Sequence, residues 1–500
     1  MATTPGGLAP RDAGQPRTEL SAVDHLMLRG EANPRFRSGF ISVEILDTKP
    51  DWDRFRARAE DVSRRVLRLR QKVVVPLLPT AAPRWVTDPD FNIDFHVRRV
   101  RAPEPGTLRE VFDMAEVMLQ SPLDLARPLW TATLVEGLTD GKAAALLHLS
   151  HAVSDGVGSV NMFMPVYDQE RNPPAEATPP QPIPQDLSAN ELMREGVGRL
   201  PGALVCGVRA VLSTVGRAAR DPAATVADAL GYARSGARIL KPAAEPSPLL
   251  RSRGVSTRTE AVDLDLGVLD DAAKACRASI NDVYLAGLCA VLGRYHSALG
   301  VPIGTLPMVV PVNLRTEADP AGGNNFATVS LAAPVGTADP LRRVEKIRTQ
   351  MTRRREERAK GLIGAVAPAL SVLPTAVLLQ LMLRSAAATD VLATNIPLYP
   401  QDTYLCGAKV LRQYGLGPLN GTAVEFALVS RGGTCTVTAR YARGAVQRER
   451  LFAQCLLQGF DEVLALAGDP APHAVPASFR VPDRLLMARD RGRRIPAGRS

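Results

Sequence analysis

Six prolines lie in one short stretch about a third of the way along this 500-residue chain. They lie between Tyr167 and Leu187, at positions 173, 174, 179, 180, 182 and 184. Because proline has no backbone N–H and clashes with the preceding helical turn, this stretch forms neither a helix nor a central strand. A chain of this length also exceeds what one compact core usually holds. The sequence therefore predicts two domains joined by a long crossover.

The proline-rich stretch divides the chain into an N-terminal and a C-terminal part, each expected to fold around its own core. With 45% hydrophobic and 22% charged residues, the chain can build buried cores. We expect, in order, a disordered segment over 1–19, an N-terminal domain over 20–170, a proline-rich linker and helical crossover over 171–255, a C-terminal domain over 256–470 and a basic tail over 471–500.

The N-terminal half alternates helix and strand signals. Thr107 and Glu110 have the spacing of a capping box, which predicts the start of a helix. Thr131–Glu136 and Ala143–Leu149 read as strands, and the Asp-Gly turn between them predicts an antiparallel hairpin. These signals favour a mixed α/β fold.

The C-terminal half carries the same kinds of signal. Ser279 is expected to cap a helix from about Asn281 to Leu299, and Val301–Val312 reads as a buried strand. Thr434–Tyr441 alternates small apolar with polar residues, as a strand does. The whole chain is thus predicted to be mixed α/β (α+β) with long crossovers, and not an all-parallel doubly wound sheet.

Positive charge is concentrated in two blocks. The net charge is +10, and Arg342–Lys360 holds nine basic residues against three acidic ones, while Arg480–Ser500 holds seven against two. This pattern suits an anionic surface or a phosphorylated small molecule, with solvated helix faces as the alternative. Nucleic-acid binding is not expected, since aromatic residues are only 5% and no reading motif is present.

The cysteines and the N-terminus predict a cytoplasmic location. The six cysteines form no CxxC pair, which argues against a zinc module or a disulfide framework. The first fifteen residues are small and polar and lack the apolar segment of a secretory signal. We expect no metal site.

An uncharged stretch of 23 residues, Gly361–Leu383, is long enough to cross a membrane. Pro368 and Pro374 interrupt it, so short apolar helices are expected instead. Such helices pack into a core or face lipid. Peripheral contact with the inner membrane or with lipid droplets is the corresponding expectation.

His151 follows a predicted buried strand, and Asp155 and Gly156 come just after it. A neutral imidazole fixed at a strand end can accept a proton from a hydroxyl or a thiol near neutral pH. Asp155 is placed to hold the loop or fix the imidazole tautomer, and Gly156 permits the sharp turn into the next helix. A core histidine satisfied by the backbone is the alternative that these residues leave open.

The segment Ser150-His151-Ala-Val-Ser-Asp155-Gly156 resembles the HHxxxDG signature of the CoA-dependent acyltransferase superfamily. About residues 20–468 are similar to one branch, the bacterial wax ester synthase/acyl-CoA:diacylglycerol acyltransferase family. The matching stretches are Leu20–Asp24, Trp85–Phe91, His96–Val97, Ser121–Asp124, Pro128–Trp130, Asn281–Asp282, Pro311–Arg315, Gly323–Asn324 and Thr394–Pro397. Ser150 departs from the pattern, since the family has its first motif histidine there.

The resemblance implies two chloramphenicol acetyltransferase-like domains packed as a pseudo-dimer with a tunnel between them. His151 would be the general base in that tunnel, reached by acyl-CoA from one side and by an alcohol from the other. Acyl-CoA is a substrate, and no cofactor is implied. Asp155 would hold the loop. Because neighbouring strand residues face opposite ways, Ser150 should not share the environment of His151.

The remaining site residues take their roles from the same resemblance. Pro128 and Trp130 would pack and shape the tunnel, Asn281 would position or polarise substrate, and Asp282 would be structural. Asn395 belongs to the last matching motif and would either bind substrate or be structural. Arg315 and the Arg353–Arg355 run are candidates for the phosphates of CoA, with solvated surface as the alternative.

The leading functional hypothesis is an acyl-CoA-dependent O-acyltransferase that esterifies diacylglycerol, a long-chain alcohol, or both. A second hypothesis keeps the fold but changes the acceptor or uses a carrier-bound donor, as condensation enzymes do. A third follows from Ser150, and takes the chain to be a degenerate relative that binds lipid surfaces without turnover.

Overall fold

The structure of the protein is a computed structural model. It describes residues 18–78, 80–154, 156–174, 177–199, 242–313, 326–356, 367, 370–371, 373–468 and 474–477. Asp155 and Arg315, which have predicted roles, lie outside these ranges. The tail beyond 477 and most of the crossover also lie outside them.

Helices and strands alternate along both halves of the chain. The helices are α1 (Ala22–Gly30), α2 (Trp52–Arg65), α3 (Ile93–His96), α4 (Leu108–Gln120), α5 (Gly156–Phe163), α6 (Leu266–Ala275), α7 (Ile280–Ala298), α8 (Pro340–Glu356), α9 (Thr375–Ala387) and α10 (Glu449–Leu464). The strands are β1 (Gly39–Leu46), β2 (Gln71–Val74), β3 (Arg84–Thr87), β4 (Val97–Arg101), β5 (Trp130–Glu136), β6 (Ala143–Ser150), β7 (Thr257–Asp265), β8 (Leu306–Asn313), β9 (Phe326–Ala333), β10 (Val391–Pro397), β11 (Tyr404–Leu405), β12 (Ala408–Leu416), β13 (Val424–Arg431), β14 (Thr434–Ala442) and β15 (Val475–Pro476).

The first large sheet has six strands in the order β11–β12–β1–β6–β5–β4. Strands β5 and β6 pair antiparallel, from Trp130 opposite Leu149 to Val135 opposite Ala144, which confirms the predicted hairpin. Helix α4 packs on one face of this sheet. Its capping box is formed by Thr107 and Glu110 and confirms the predicted helix start.

The second large sheet has seven strands in the order β15–β7–β14–β13–β10–β8–β9. Helix α7 starts with a capping box, Ser279 with Asp282, and is buried along most of its length against α10. The predicted strand Val301–Val312 is wrong at its start, because β8 begins at Leu306. The N–H of Val301 instead donates to the carbonyl of His296 and closes the end of α7.

The C-terminal half contributes two strands to the first sheet. Strands β11 and β12 come late in the chain, yet β12 pairs antiparallel with β1, from Ile41 opposite Leu416 to Leu46 opposite Val410. The loop after β12 returns to β13 of the second sheet. A division of the chain by sequence position therefore does not capture how the sheets are built.

The apolar interior follows the two sheets. One cluster of buried side chains surrounds α7 and α10 on the second sheet, and two smaller clusters lie on the opposite faces of the first. Within the described ranges, no helix taken alone has both the length and the apolar composition needed to cross a bilayer. Helices α6 and α7, bent by 97° at their junction, meet that requirement only as a pair.

The stretch predicted to break into short helices is partly described. Pro374 is the N-cap of α9, and this helix continues past Leu383 to Ala387. Pro368 lies outside the described residues. In the crossover, residues 189–199 are helical, in agreement with the helical part predicted to follow the prolines.

Candidate active site

His151 directly follows β6 and contacts Phe40, which lines a pocket between the two sheets. All eight residues of β6 are buried, so the strand end is held firmly. The backbone N–H of His151 donates to the backbone carbonyl of Ser38 (3.0 Å). The imidazole packs against the ring of Phe40, with 4.8 Å between centroids. The strand terminus and the start of β1 thus fix the position of the ring from two directions.

Ser150 is oriented differently from its neighbour. Its Oγ donates to Oε1 of Glu31 (3.2 Å), and it accepts from the N–H of Ala152 (3.3 Å). Glu31 also accepts from the hydroxyl of Ser38, whose carbonyl holds His151. Ser150, which stands where the family has its first motif histidine, therefore belongs to a polar cluster with Glu31 and Ser38 at the end of α1.

Replacing Ser150 with alanine is expected to lower the free energy of unfolding by about 0.5–1.5 kcal/mol, the usual net contribution of such a hydrogen bond. The serine is only 1% exposed, and its loss leaves the half-buried Glu31 with one hydroxyl partner fewer. Denaturant titration measures the change. Ser385→Ala, at an exposed position on α9, is the matched control. Equal midpoints for the two variants would contradict the prediction.

The segment before β5 anchors the strand that bears His151. The carbonyl of Leu129 accepts from the N–H of Ser150 (3.1 Å). The indole of Trp130 donates to the carbonyl of Leu69 (2.7 Å), and its ring stacks on His96 at 4.6 Å. Pro128 accepts the backbone N–H of Trp130 (2.9 Å). These contacts assign the segment a packing role.

Asn281 and Asn395 meet although 114 positions separate them. The amide nitrogen of Asn395 lies 3.4 Å from the side-chain oxygen of Asn281. Asp282 accepts from the N–H and hydroxyl of Ser279 and completes the α7 capping box. Its carboxylate is thus committed to the helix start. Strand β10, which carries Asn395, also contacts α5, the helix that follows His151.

An apolar pocket opens between the sheets beside Phe40, the residue that contacts His151. Strand β6 contributes Leu147 and Leu149, which lie on one face of the sheet by strand alternation. The full lining is Phe40, Ile41, Ser42, Leu147, Leu149, Val160, Phe163, Tyr167, Ile396, Leu398, Tyr399, Gln413, Tyr414, Gly415 and Val429. Both sheets and α5 contribute, so the pocket exists only in the folded pair.

Two buried charged groups, Glu44 and Arg431, contact Tyr167 in the wall of this pocket. The Tyr167 hydroxyl donates to Glu44, and the Arg431 guanidinium sits over the Tyr167 ring at 4.6 Å. Burial raises the pKa of the Glu44 carboxyl, while Arg431 and the tyrosine hydroxyl oppose that change. The polar groups are therefore turned into the protein, and the surface left for a ligand is mainly apolar.

The other described histidines have structural surroundings. Burial lowers the pKa of His96 and of His148 to about 4, so both rings are neutral at pH 7. His96 binds the Trp130 carbonyl, and His296 lies between the Ser247 hydroxyl and the Leu292 carbonyl. His25, half-buried on α1, has a pKa lowered by burial and by Arg29.

The structure adds residues that the sequence did not single out, namely Glu31, Ser38 and Phe40. Glu31 is the C-cap of α1, Ser38 directly precedes β1 and Phe40 lies in it. All three are more than a hundred positions before His151, and no spacing pattern connects them to it. Gly156 is the first residue of α5, as the predicted turn requires. Within the described residues, no cluster of three or more histidine, cysteine, aspartate or glutamate side chains is arranged to hold a metal ion.

An imidazole at a strand end can take a proton from a hydroxyl group. An apolar pocket next to it can bind an apolar substrate and exclude water. Two family descriptions match the chain: the wax ester synthase/diacylglycerol acyltransferase catalytic domain over residues 10–284, and the WS/DGAT C-terminal domain over residues 322–463. Together they span most of the sequence and both sheets.

Relatives and solved structures agree with this match. A putative diacylglycerol O-acyltransferase of Mycobacterium tuberculosis is 66% identical over 465 residues, covering 92% of this chain and 94% of the relative. The fold matches the wax ester synthase/diacylglycerol acyltransferase of Marinobacter aquaeolei VT8 (TM-score 0.60, 21% identity, 90% of this chain and 100% of that one). It also matches the starter condensation domain of rhizomide synthetase, solved as a mutant with C8-CoA (TM-score 0.53, 15% identity, 91% of this chain and 95% of that one). The chain belongs to the wax ester synthase/diacylglycerol acyltransferase family.

Proposed function

We propose that this protein is an acyl-CoA-dependent O-acyltransferase that esterifies diacylglycerol, a long-chain alcohol, or both. The observation that carries the proposal is the position of His151, at the end of β6 and against Phe40, which lines an apolar pocket between the sheets. The names of the relatives favour diacylglycerol as the acceptor. Acyl-CoA acts as donor substrate, and the reaction needs no cofactor.

The proposed chemistry is a single transfer. The His151 imidazole takes the proton of the acceptor hydroxyl while the oxygen attacks the thioester carbonyl. The tetrahedral intermediate collapses, the C–S bond breaks, and the proton passes from the imidazolium to the CoA thiolate. A thioester is already activated, so no covalent enzyme intermediate is required. General acid–base help of this kind contributes roughly 10²–10⁴-fold.

The neighbouring residues have positioning roles in this proposal. Ser38 fixes the backbone of His151, while Pro128 and Trp130 hold the strand end in place. Asn281 and Asn395 form a polar pair at the second sheet, suited to orient a carbonyl or hydroxyl. Asp155 keeps its predicted loop-holding role.

The assay that tests the proposed function offers radiolabelled palmitoyl-CoA to the full-length protein with dioleoylglycerol or hexadecanol. We expect triacylglycerol, wax ester or both, with release of one CoA thiol per ester formed, because the pocket lining is apolar. A parallel reaction uses palmitoyl-acyl carrier protein as donor. Absence of ester with both alcohols would refute the proposal, and activity restricted to the carrier-bound donor would favour a condensation-type enzyme.

A lipid acceptor also requires access from a lipid phase, and helix α9 is the surface that we propose for it. Val377 and Leu381 are 46% and 41% exposed, with Arg384 exposed one turn further on. An apolar face followed by a basic residue suits the boundary of an anionic bilayer or a lipid droplet. The contact proposed is peripheral.

A further inference from the structure

A second cleft lies where the end of α4 meets the loops around 253–257 and 419–422. Four arginines contribute to its wall: Arg35, Arg37, Arg253 and Arg440. Its other walls include the apolar side chains of Leu119 and Leu419, both of which are buried. The apolar pocket beside Phe40 has no arginine in its lining, so the two cavities differ in chemistry.

Two of the four arginines are neutralised by buried carboxylates. Arg253 pairs with Asp390 at 2.5 Å and also donates to the carbonyls of Ala386 and Thr389. Arg440 pairs with Glu116 at 3.1 Å. These guanidinium groups are held in place by the fold and form the rigid part of the wall.

The other two arginines bring charge without a counterion. Within the described part of the chain, neither Arg35 nor Arg37 lies within ion-pair distance of a carboxylate. Arg37 donates through Nη1 to the Gln120 carbonyl, and its buried Nε has no hydrogen-bond partner. The Arg35 charge acts on Arg253, whose pKa is lowered first by burial and further by Arg35, against the pull of Asp390. The cleft therefore concentrates uncompensated positive charge.

The cleft and the candidate active site both use residues of one short segment, Arg35–Phe40. Arg37 immediately precedes Ser38, whose carbonyl holds the His151 N–H. Two residues further on, Phe40 contacts the imidazole and lines the apolar pocket. A ligand with an anionic end in the cleft and an apolar end beside Phe40 would thus span the segment that positions His151.

We propose that this arginine cleft is a phosphate-binding site that takes the 3′-phosphorylated ADP end of acyl-CoA. The inference rests on the proposed function for its choice of donor. Guanidinium groups bind phosphate oxygens through paired N–H donors and stack on flat rings, which suits both the phosphates and the adenine. Leu119 and Leu419 supply apolar surface beside the arginines.

The binding experiment titrates adenosine 3′,5′-bisphosphate into the full-length protein by calorimetry. Arg35→Glu is the test variant, because Arg35 is exposed and its replacement should leave the fold intact. Arg450→Glu, an equal charge change at an exposed position on α10, is the matched control. We expect the affinity to fall by about tenfold or more in Arg35→Glu, since a charge-assisted contact is lost. The control should bind as the wild type does.

The kinetic experiment compares palmitoyl-CoA with palmitoyl-pantetheine, which lacks the phosphorylated nucleotide. For Arg35→Glu we expect the KM for palmitoyl-CoA to rise about tenfold with kcat nearly unchanged, as for a contact made equally in ground and transition states. The KM for palmitoyl-pantetheine should be the same in wild type and variant. Arg37→Gln, which removes charge without reversing it, should change the KM in the same direction.

Three results separate the possibilities. Equal bisphosphate affinity in wild type and Arg35→Glu would overturn the cleft proposal. A loss confined to sedimentation with phosphatidylglycerol vesicles would also overturn it, because the phosphate would then come from a lipid headgroup. Bisphosphate binding that depends on Arg35 in a protein that forms no ester would support the cleft while refuting the proposed function.

Discussion

Replacing His151 with alanine is expected to reduce kcat for ester formation by about 10²–10⁴-fold, the range that general acid–base catalysis supplies. The variant lacks the group that would take the acceptor proton, while its backbone N–H can still bind the Ser38 carbonyl. The KM for acyl-CoA should change little, because the ring itself holds neither the phosphates nor the acyl chain in the proposed arrangement. Thin-layer separation of labelled ester from labelled donor measures the loss.

Two controls make this result interpretable. His25→Gln removes a half-buried imidazole from α1, outside the proposed machinery, and should leave kcat as it is in the wild type. The thermal unfolding midpoint of His151→Ala should stay close to that of the wild type. Retention of full activity by a folded His151→Ala protein would eliminate the general-base mechanism.

Replacing Glu116 with alanine is expected to lower the free energy of unfolding by about 3–5 kcal/mol, the usual cost of removing one partner of a buried ion pair. Glu116 lies on α4, which packs on the first sheet, and is 4% exposed. It accepts from Arg440 and from the hydroxyls of Thr257 and Thr259, all on strands of the second sheet. Without it, the Arg440 charge stays buried and uncompensated between the halves.

The measurement is urea unfolding followed by both circular dichroism and tryptophan fluorescence. Glu345→Ala, at an exposed position on α8, is the matched control and should shift the midpoint little. Glu116→Gln keeps an acceptor for the threonines but loses the charge, so its midpoint should lie between those of the wild type and the alanine variant. Midpoints equal to that of Glu345→Ala would show that the contact between the halves does not depend on this pair.

Interactions between residues that are close in the sequence explain which parts of the fold the sequence predicts. The capping boxes at Thr107 and Ser279 and the hairpin formed by β5 and β6 each depend on residues only a few positions apart. The start of β8 was mispredicted because an apolar run does not reveal that the Val301 N–H is used by the end of α7. Nothing local indicates that β12 joins the first sheet, because strand partners far apart in the chain leave no spacing signal.

The candidate site divides in the same way. The sequence by itself determined the strand end that bears His151, the mixed α/β class and, through an ordered set of motifs, the family. Only the tertiary structure brought Glu31, Ser38 and Phe40 to His151, paired Asn281 with Asn395, and gathered four arginines into one cleft. The physical reason is that hydrogen bonds along a strand or helix are set by neighbouring residues, whereas a pocket is made by side chains that meet only when distant segments bury their apolar faces together.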